Sequence, residues 1–206
     1  MKVLLVNGSA KKNGCTYTAL KEVADELERN GIETEIFHIG SKPIGGCMGC
    51  GACSKTGKCI QDDIVNSAME KFIEADGFVF GSPVHYAAAS GGLTSFLDRM
   101  FYICGKKLAD KPGAAVVSCR RGGATAAFEQ LNKYFTINNM PVVSSQYWNM
   151  VHGNKPEEVI QDLEGMQTMR TLAKNMAWLL KCIDAANKAG IEKPQREAKI
   201  ATNYIR

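Results

Sequence analysis

Short β-branched and apolar runs alternate with helical patterns along most of this sequence, and no other feature constrains its fold as strongly. The predicted strands are Val3–Asn7, Thr34–Ile39, Gly77–Gly81, Ala114–Ser118 and Pro141–Ser145. Between the first two strands, apolar residues recur at helical spacing, at Leu20, Val23, Ala24 and Leu27. Further helices are predicted at about 63–74, 91–104, 123–137 and 157–185. Such an alternation is typical of an α/β fold in which helices cover both faces of a parallel sheet.

A chain of 206 residues, 45% of them hydrophobic, can bury the core of one such domain. We expect that domain to span residues 1–185. Residues 186–206 are rich in charge, contain Gly190 and Pro194, and are predicted to form a tail without a core of its own. In open sheets of this kind a ligand binds beyond the carboxyl ends of the strands. The loops after the first, third and fourth strands are therefore the expected site.

Charge and hydropathy exclude several classes of function. The formal net charge of +4 is spread along the chain, so nucleic acid is not an expected partner. No apolar run reaches the roughly 18 residues that a membrane span needs, and Val3–Val6 is too short for a signal peptide. We therefore expect a cytoplasmic protein without a membrane partner. In that reducing compartment the eight cysteines are expected to be thiols or metal ligands rather than disulfides.

The loop after the first strand, Asn7–Thr18, is rich in glycine and hydroxyl side chains and leads into a helix. Such a loop offers backbone N–H groups, hydroxyls and a helix N-terminus to a phosphate. A polar turn with Thr16 or Thr18 as the helix N-cap is the alternative. The sequence lacks G-x-x-x-x-G-K-[ST] and G-x-G-x-x-G, which disfavours an NTPase and a dinucleotide-binding domain. No cysteine is followed six residues later by arginine, which disfavours a tyrosine phosphatase.

The loop after the third strand, Gly81–Leu93, reads GSPVHYAAASGGL and also leads into a helix. Together with the Gly-Ser-x-x-x-x-Gly pattern of Gly8–Gly14, the stretch Arg120–Gly123 and the segment Gln146–Gly153, it makes the sequence resemble the NAD(P)H-dependent FMN reductase family of the flavodoxin superfamily. The likeness extends from residue 1 to about residue 181. It implies a flavodoxin-like three-layer sandwich with a five-stranded parallel sheet in the order 2-1-3-4-5.

The resemblance also implies a set of FMN-binding residues. The phosphate is expected on the first loop, and the isoalloxazine ring between the second loop and the loop after the fourth strand. These residues are Ser9, Lys11, Cys15, Thr16, Tyr17, Thr18, Pro83, Val84, His85, Tyr86, Ala87, Ser118, Arg120, Arg121, Gly122 and Gly123. The family often has Asn in place of Cys15 and Tyr in place of His85, so these two side-chain contacts are open. Arg120 and Arg121 are candidates for nicotinamide phosphates or for charge on the reduced flavin, and simple solvation is the alternative.

The activity that the resemblance implies is electron transfer from NADH or NADPH through bound FMN to a small-molecule acceptor. That acceptor is a free flavin, a quinone, a nitroaromatic compound or a metal ion, and the sequence does not distinguish among them. Because the flavin carries the chemistry, no side chain is predicted to be catalytic. Proteins similar to this one usually pair so that FMN lies near the subunit boundary, and a homodimer is expected. The surplus of aromatic residues fits such a contact, and core packing is the alternative explanation for them.

A compact group of cysteines, Cys47, Cys50, Cys53 and Cys59, forms a C-x2-C-x2-C-x5-C pattern with glycines in between. Four thiolates so spaced can hold a [4Fe–4S] cluster or a zinc ion. The pattern is similar to the motif of the iron–sulfur flavoproteins, but many reductases that resemble this chain have similar cysteines without an established cluster. A cluster, zinc and no metal are all open. An iron–sulfur electron carrier that serves a protein partner is therefore the alternative to the preferred reductase.

Overall fold

A six-stranded sheet forms the centre of the protein, for which the computed structural model describes residues 1–198 and 200–202. Its strands are β1 (Lys2–Asn7), β2 (Glu33–His38), β3 (Gly77–His85), β4 (Ala88–Ala89), β5 (Gly113–Cys119) and β6 (Met150–His152). Neighbouring strands in the order β2-β1-β3-β5-β6 are parallel, and the short β4 pairs antiparallel with the end of β3. Counted without β4, this is the predicted flavodoxin-like order 2-1-3-4-5, and the α/β fold class is confirmed.

Helices cover both faces of the sheet. They are α1 (Cys15–Arg29), α2 (Ala52–Thr56), α3 (Ile64–Glu74), α4 (Gly91–Cys104), α5 (Ala124–Ile137), α6 (Pro156–Gln161) and α7 (Leu163–Lys188). The helices predicted near 63–74, 91–104 and 123–137 begin and end within a residue of α3, α4 and α5. The short α2 lies inside the cysteine segment and was not predicted, because its few residues carry no apolar stripe.

The two faces of the sheet are both apolar, since successive side chains of a strand point in opposite directions. Leu4 and Val6 pack among residues of α3, α4 and α5, whereas Val3 and Leu5 pack among residues of α1 and α7. All four side chains are fully buried. The sheet is thus the middle layer of a three-layer sandwich, and its carboxyl edge is left to the loops.

The last strand lies later in the chain than the predicted Pro141–Ser145. Val142 makes only an isolated bridge to Gly113, and the regular strand is β6. The chain leaves the sheet after Val143 and returns at Asn149, whose carbonyl accepts from Val117 N at 3.0 Å and whose Nδ2 donates to the carbonyl of Ala115 at 3.1 Å. Asn149 therefore bonds to β5 through its side chain as well as its backbone. A search for runs of β-branched residues does not find such a contact, so the last strand was misplaced.

The single long helix predicted at 157–185 is two helices, α6 and α7. Asp162 separates them, because its carboxylate accepts from Gly165 N at 3.0 Å and from His152 N at 2.7 Å. The first bond caps α7 and the second ties the break to β6. The prediction of one helix is therefore wrong: the apolar pattern is continuous, but hydrogen bonds to the Asp162 carboxylate break the helix.

The C-terminal residues leave the domain along its surface. α7 continues to Lys188, and residues 189–198 and 200–202 contain neither helix nor strand. Arg196 pairs with Asp110 at 2.5 Å. A domain boundary at 185 stays a prediction. Among the described residues, no helix is long and apolar enough to cross a membrane.

Phe72 anchors the packing of α3 against the sheet, so its removal tests this core. Its ring centroid lies 5.3 Å from that of Phe78 and 5.8 Å from that of Phe96, and its side chain is fully buried. We expect Phe72→Ala to lower the free energy of unfolding by about 3–5 kcal/mol in urea denaturation. Ile137→Ala, at a position 82% exposed, is the control and should change it by less than about 0.5 kcal/mol. Equal effects would contradict the placement of Phe72.

Candidate functional site

A cavity of about 450 Å³ opens at the carboxyl edge of the sheet, between the ends of β3 and β5 and the loops that follow β1, β5 and β6. This is the location at which ligands bind open α/β sheets. Its walls are formed by Ser9, Ala10, Lys11, Gly14, Cys15, Thr16, Pro83, Val84, His85, Ser118, Cys119, Arg120, Gly153 and Asn154. The loop after the last strand contributes to the walls as well as the three loops that were expected.

Gly8 opens the first loop and brings it against β3. Its N–H donates to the carbonyl of Gly81 at 2.8 Å. A Cβ at Gly8 would lie 2.6 Å from Leu93 Cδ2 and 2.9 Å from Gly81 O, which is closer than packed atoms allow. Only glycine fits here, and the close approach holds the loops after β1 and β3 side by side.

The first loop is held in shape by its own polar groups. Asn7 Oδ1 accepts from Ser9 N at 3.1 Å, and Ser9 Oγ accepts from Lys11 N at 3.1 Å. His38, the last residue of β2, bonds through Nε2 to the carbonyl of Ser9 at 2.7 Å. Because a carbonyl oxygen only accepts, His38 Nε2 is the donor in this bond. The loop is therefore preorganised, which lowers the entropy cost of binding a ligand.

The N-terminus of α1 faces the cavity. Gly14 is the N-cap, and within the described part of the chain no side chain caps the first turn. The alternative of Thr16 or Thr18 as N-cap is wrong, because Thr16 Oγ1 lies 2.8 Å from Ser118 Oγ and Thr18 Oγ1 donates to the carbonyl of Gly14 at 3.3 Å. Free N–H groups at the positive end of a helix dipole can hold a phosphate.

Two hydroxyls, those of Thr16 and Ser118, join α1 to the end of β5 beneath the cavity. Both residues are almost fully buried, at 1% and 4% exposure. Their mutual hydrogen bond uses only one of the two hydroxyl protons, so the other is available to a ligand in the cavity. The two hydroxyls therefore connect α1 to β5 by one hydrogen bond and leave one O–H group free to donate to a ligand.

Two thiols, those of Cys15 and Cys119, also lie in the cavity wall. Burial raises the pKa of both, so both are uncharged at neutral pH. Cys15 Sγ contacts the carbonyl of Gly153 at 3.7 Å, and Cys119 Sγ contacts that of Arg121 at 3.6 Å. Neutral thiols do not repel an anion, which is compatible with a phosphate beside Cys15.

The second loop is a tight hairpin. His85 pairs with Ala88, and the two residues between them, Tyr86 and Ala87, have positive φ angles of 50° and 59°. Such angles are typical of a two-residue type I′ turn. Gly123, at the N-cap of α5, packs so closely on Ala87 that a Cβ there would lie 2.7 Å from Ala87 Cα. The start of α5 therefore supports the hairpin from behind.

The cavity collects nine of the predicted FMN-binding residues and leaves seven outside its walls. The nine are Ser9, Lys11, Cys15, Thr16, Pro83, Val84, His85, Ser118 and Arg120. The seven are Tyr17, Thr18, Tyr86, Ala87, Arg121, Gly122 and Gly123. A role in binding stays a prediction for all of them.

Five further wall residues were not predicted. They are Ala10, Gly14, Cys119, Gly153 and Asn154. Gly153 and Asn154 directly follow β6, so the rule that ligands bind at carboxyl ends would have found them if the last strand had been placed correctly. Cys119 is buried and also reaches the cavity.

The cysteine segment begins beyond the carboxyl end of β2. Cys47 and Cys50 are exposed, and Cys53 and Cys59 are half-buried. Gly49, Gly51 and Gly57 have φ angles of 65°, 67° and 70°, which bend the chain between the thiols.

The thiols of this segment fit the ligand chemistry of a [4Fe–4S] cluster and of zinc. Gly49 N also lies 3.5 Å from Cys47 Sγ, a backbone donor of the kind that surrounds cluster sulfurs. Among the described residues, however, no three side chains of His, Cys, Asp or Glu are gathered closely enough to hold a metal ion. Binding of a metal would therefore require the exposed part of the segment to close.

Known proteins match this chain along most of its length. A profile of the NADPH-dependent FMN reductase family matches residues 1–155. An iron–sulfur flavoprotein of Methanocaldococcus jannaschii is 33% identical over 191 residues, which cover 89% of this chain and 99% of that protein. An iron–sulfur flavoprotein of Archaeoglobus fulgidus is 34% identical over 174 residues, covering 82% of this chain and 86% of that one.

Solved structures agree on the fold. RosB, crystallised with 8-demethyl-8-formylriboflavin-5'-phosphate, superposes with a TM-score of 0.71 at 16% identity, covering 100% of this chain and 92% of RosB. The profile covers well over half of the chain, and the resemblance found in the sequence is confirmed. This chain belongs to the NADPH-dependent FMN reductase family: it is a flavin oxidoreductase that uses FMN and a reduced nicotinamide.

Proposed function

We propose that this enzyme passes electrons from NADH or NADPH through FMN to a [4Fe–4S] cluster on Cys47, Cys50, Cys53 and Cys59, and from the cluster to a redox protein. The observation that carries the proposal is the C-x2-C-x2-C-x5-C segment, in which all four thiols are unpaired and none is buried. Relatives matched over most of their length are named iron–sulfur flavoproteins, which supports the same assignment. We therefore prefer the iron–sulfur electron carrier, which the sequence analysis gave as the alternative to the reductase.

The cavity residues divide the binding of FMN between its two ends. The N-terminus of α1, with Ser9 and the hydroxyl pair of Thr16 and Ser118, would hold the phosphate. Pro83, Val84 and His85 would lie along the ring. When bound, FMN supplies the capacity to accept a hydride and to release electrons one at a time. The side chains bind and orient, so we assign no catalytic residue.

The exposed mouth of the cavity suits a nicotinamide donor. His85 and Arg120 are exposed at the cavity, and Arg121 is exposed beside it. Guanidinium groups bind phosphate through paired N–H donors. We assign Arg120 and Arg121 to the phosphates of NADH or NADPH.

The cysteine segment and the first loop are connected through β2. His38 is the last residue of that strand, bonds to Ser9 in the first loop, and precedes the part of the chain that leads to Cys47. Carboxyl ends of parallel strands lie at one edge of the sheet. A cluster on the cysteines, which supplies one-electron transfer when bound, would therefore lie on the same edge as the flavin.

A second candidate function is direct reduction of a small acceptor, such as a quinone or a nitroaromatic compound, by FMN. One observation favours it: in the part of the chain that the structure describes, the four thiols are not gathered around a common point. Under this alternative the cavity would admit donor and acceptor in turn, and the cysteines would have no part in the reaction.

The proposal includes a cytoplasmic homodimer. Tyr86 is fully exposed, and Tyr147 and Trp148, whose ring centroids are 5.0 Å apart, are 54% and 46% exposed. Exposed aromatic surface of this kind suits a contact with a second copy. All eight cysteines are unpaired, which fits a reducing compartment.

The dimer is tested by its mass in solution. Sedimentation equilibrium should give twice the chain mass of 22.4 kDa, and the mass of one chain would contradict the dimer.

The phosphate assignment is tested by replacing two hydroxyls at once. Ser9→Ala with Thr16→Ala should weaken FMN binding by about 1–3 kcal/mol, because hydrogen bonds to a charged group are lost. Isothermal titration would measure it, with riboflavin as a ligand that lacks the phosphate. Thr136→Ala, an exposed hydroxyl on α5 bonded to the carbonyl of Lys133, is the control. An equal loss of affinity for riboflavin would show that these residues do not bind the phosphate.

The cluster is tested by removing one ligand from protein purified without oxygen. The parent chain should contain about four irons, and Cys50→Ser should lose most of them while FMN stays bound. Cys182→Ser, an exposed cysteine on α7 outside the segment, should keep them. If the parent contains no iron and both variants oxidise NADPH with a quinone at the parent rate, the second candidate function replaces the first.

A further inference from the structure

Arg99 of α4 is the most deeply buried charged side chain of the described residues, at 1% exposure. Its Nε donates to Cys59 Sγ at 3.3 Å. Nη1 donates to the carbonyl of Gly45 at 3.2 Å and to Asp63 Oδ2 at 2.6 Å, and Nη2 donates to the carbonyl of Gln61 at 2.8 Å and to Asp63 Oδ1 at 2.8 Å. All five N–H groups of the guanidinium are therefore used.

The partners of Arg99 lie on both sides of the cysteine segment. Gly45 precedes Cys47 by two residues, and Cys59 is the last of the four cysteines. One side chain from another helix thus closes the loop that carries the thiols. A buried charge is costly unless it is fully paired, and here three of the five bonds go to Gly45, Cys59 and Gln61, all within two residues of an end of the segment.

Asp63 neutralises Arg99 and joins it to α3. Burial raises the pKa of Asp63, but hydrogen bonds from Arg99 and Val65 N outweigh that effect, and the pKa lies below its ordinary value. Asp63 is therefore ionised at neutral pH, and its Oδ1 caps α3 by accepting from Val65 N at 3.0 Å. The two-pronged pair with Arg99 fixes the guanidinium in one orientation.

Cys59 is held on its backbone as well as on its sulfur. Its N–H donates to Asn66 Oδ1, and its carbonyl accepts from Asn66 Nδ2, both at 2.9 Å. Cys47 and Cys50 are exposed by contrast. The fourth cysteine is thus held in place by side-chain hydrogen bonds, whereas the first two are exposed to solvent.

We infer that Arg99 is the positioning residue of the cluster site: it fixes Cys59 as the first ligand, closes the cysteine loop, and favours the reduced cluster by its positive charge. The inference rests on the proposed function. A reduced cluster carries one more negative charge than an oxidised one, so a cation bonded to a ligand sulfur stabilises it. Hydrogen bonds to sulfur act in the same direction.

The test uses the full chain, reconstituted with iron and sulfide without oxygen, and compares three variants with the parent. Arg99→Gln removes the charge, and Arg99→Lys keeps the charge but cannot reproduce the five bonds. Arg170→Gln is the control, because Arg170 pairs with Glu22 at 2.6 Å in the contact of α7 with α1 on the other face of the sheet. Iron content, iron loss to a chelator and a redox titration followed by electron paramagnetic resonance are the readouts.

At the potential where half of the parent cluster is reduced, Arg99→Gln should shift the ratio of reduced to oxidised cluster about tenfold towards the oxidised form, equivalent to about 59 mV for one electron. Arg99→Lys should stay near the parent in this ratio but lose iron to the chelator several-fold faster. FMN content should not change in any variant, and Arg170→Gln should match the parent throughout.

Three other results would contradict the inference. A parent without iron overturns the proposed function and this inference together. A parent with iron, and an Arg99→Gln variant with the parent's potential and rate of iron loss, overturns the inference alone. If Arg99→Gln does not fold, Arg99→Lys decides: iron retained as long as in the parent contradicts a positioning role.

Discussion

The contact between Gly8 and Gly81 is the constraint on which the site depends. A 2.8 Å hydrogen bond joins Gly8 N, directly after β1, to Gly81 O in the middle of β3, and neither glycine has space for a side chain. A Cβ at Gly8 would collide with Leu93 of α4, and one at Gly81 would lie 2.7 Å from Leu20 of α1. Close packing of helices on both faces therefore holds the end of β1 against the middle of β3, which places the first loop beside the part of β3 that lines the cavity.

From this contact the site extends in two directions along the carboxyl edge of the sheet. Towards β5, the Thr16 and Ser118 hydroxyls close the floor of the cavity at 2.8 Å. Towards β2, His38 bonds to the carbonyl of Ser9 in the first loop and precedes the cysteine segment. One scaffold thus carries the cavity proposed for FMN and a loop of thiols whose two ends Arg99 bonds at Gly45 and Cys59.

The sequence predicted the fold well where burial alone decides structure. β1 and β3 are apolar on both faces, so their apolar runs predicted strands. The helical spacing of apolar residues between them predicted helices, and neither prediction needed tertiary information. It failed where one polar side chain overrides the pattern, as Asn149 does in the last strand and Asp162 does in the last helix. Arg99 was missed for a related reason, because an arginine on a helix reads as solvated and its bonds to Gly45 and Asp63 join distant parts of the chain.

Electrons from the nicotinamide are proposed to reach the cysteine segment through the flavin. The most direct test mixes NADPH with the FMN- and iron-loaded protein in the absence of oxygen, and follows the flavin by absorbance and the cluster by electron paramagnetic resonance in rapidly frozen samples. We predict that the flavin is reduced first and that the signal of the reduced cluster then grows as the flavin gives up one of its two electrons. A reduced flavin beside a cluster that stays oxidised in the loaded protein would contradict it.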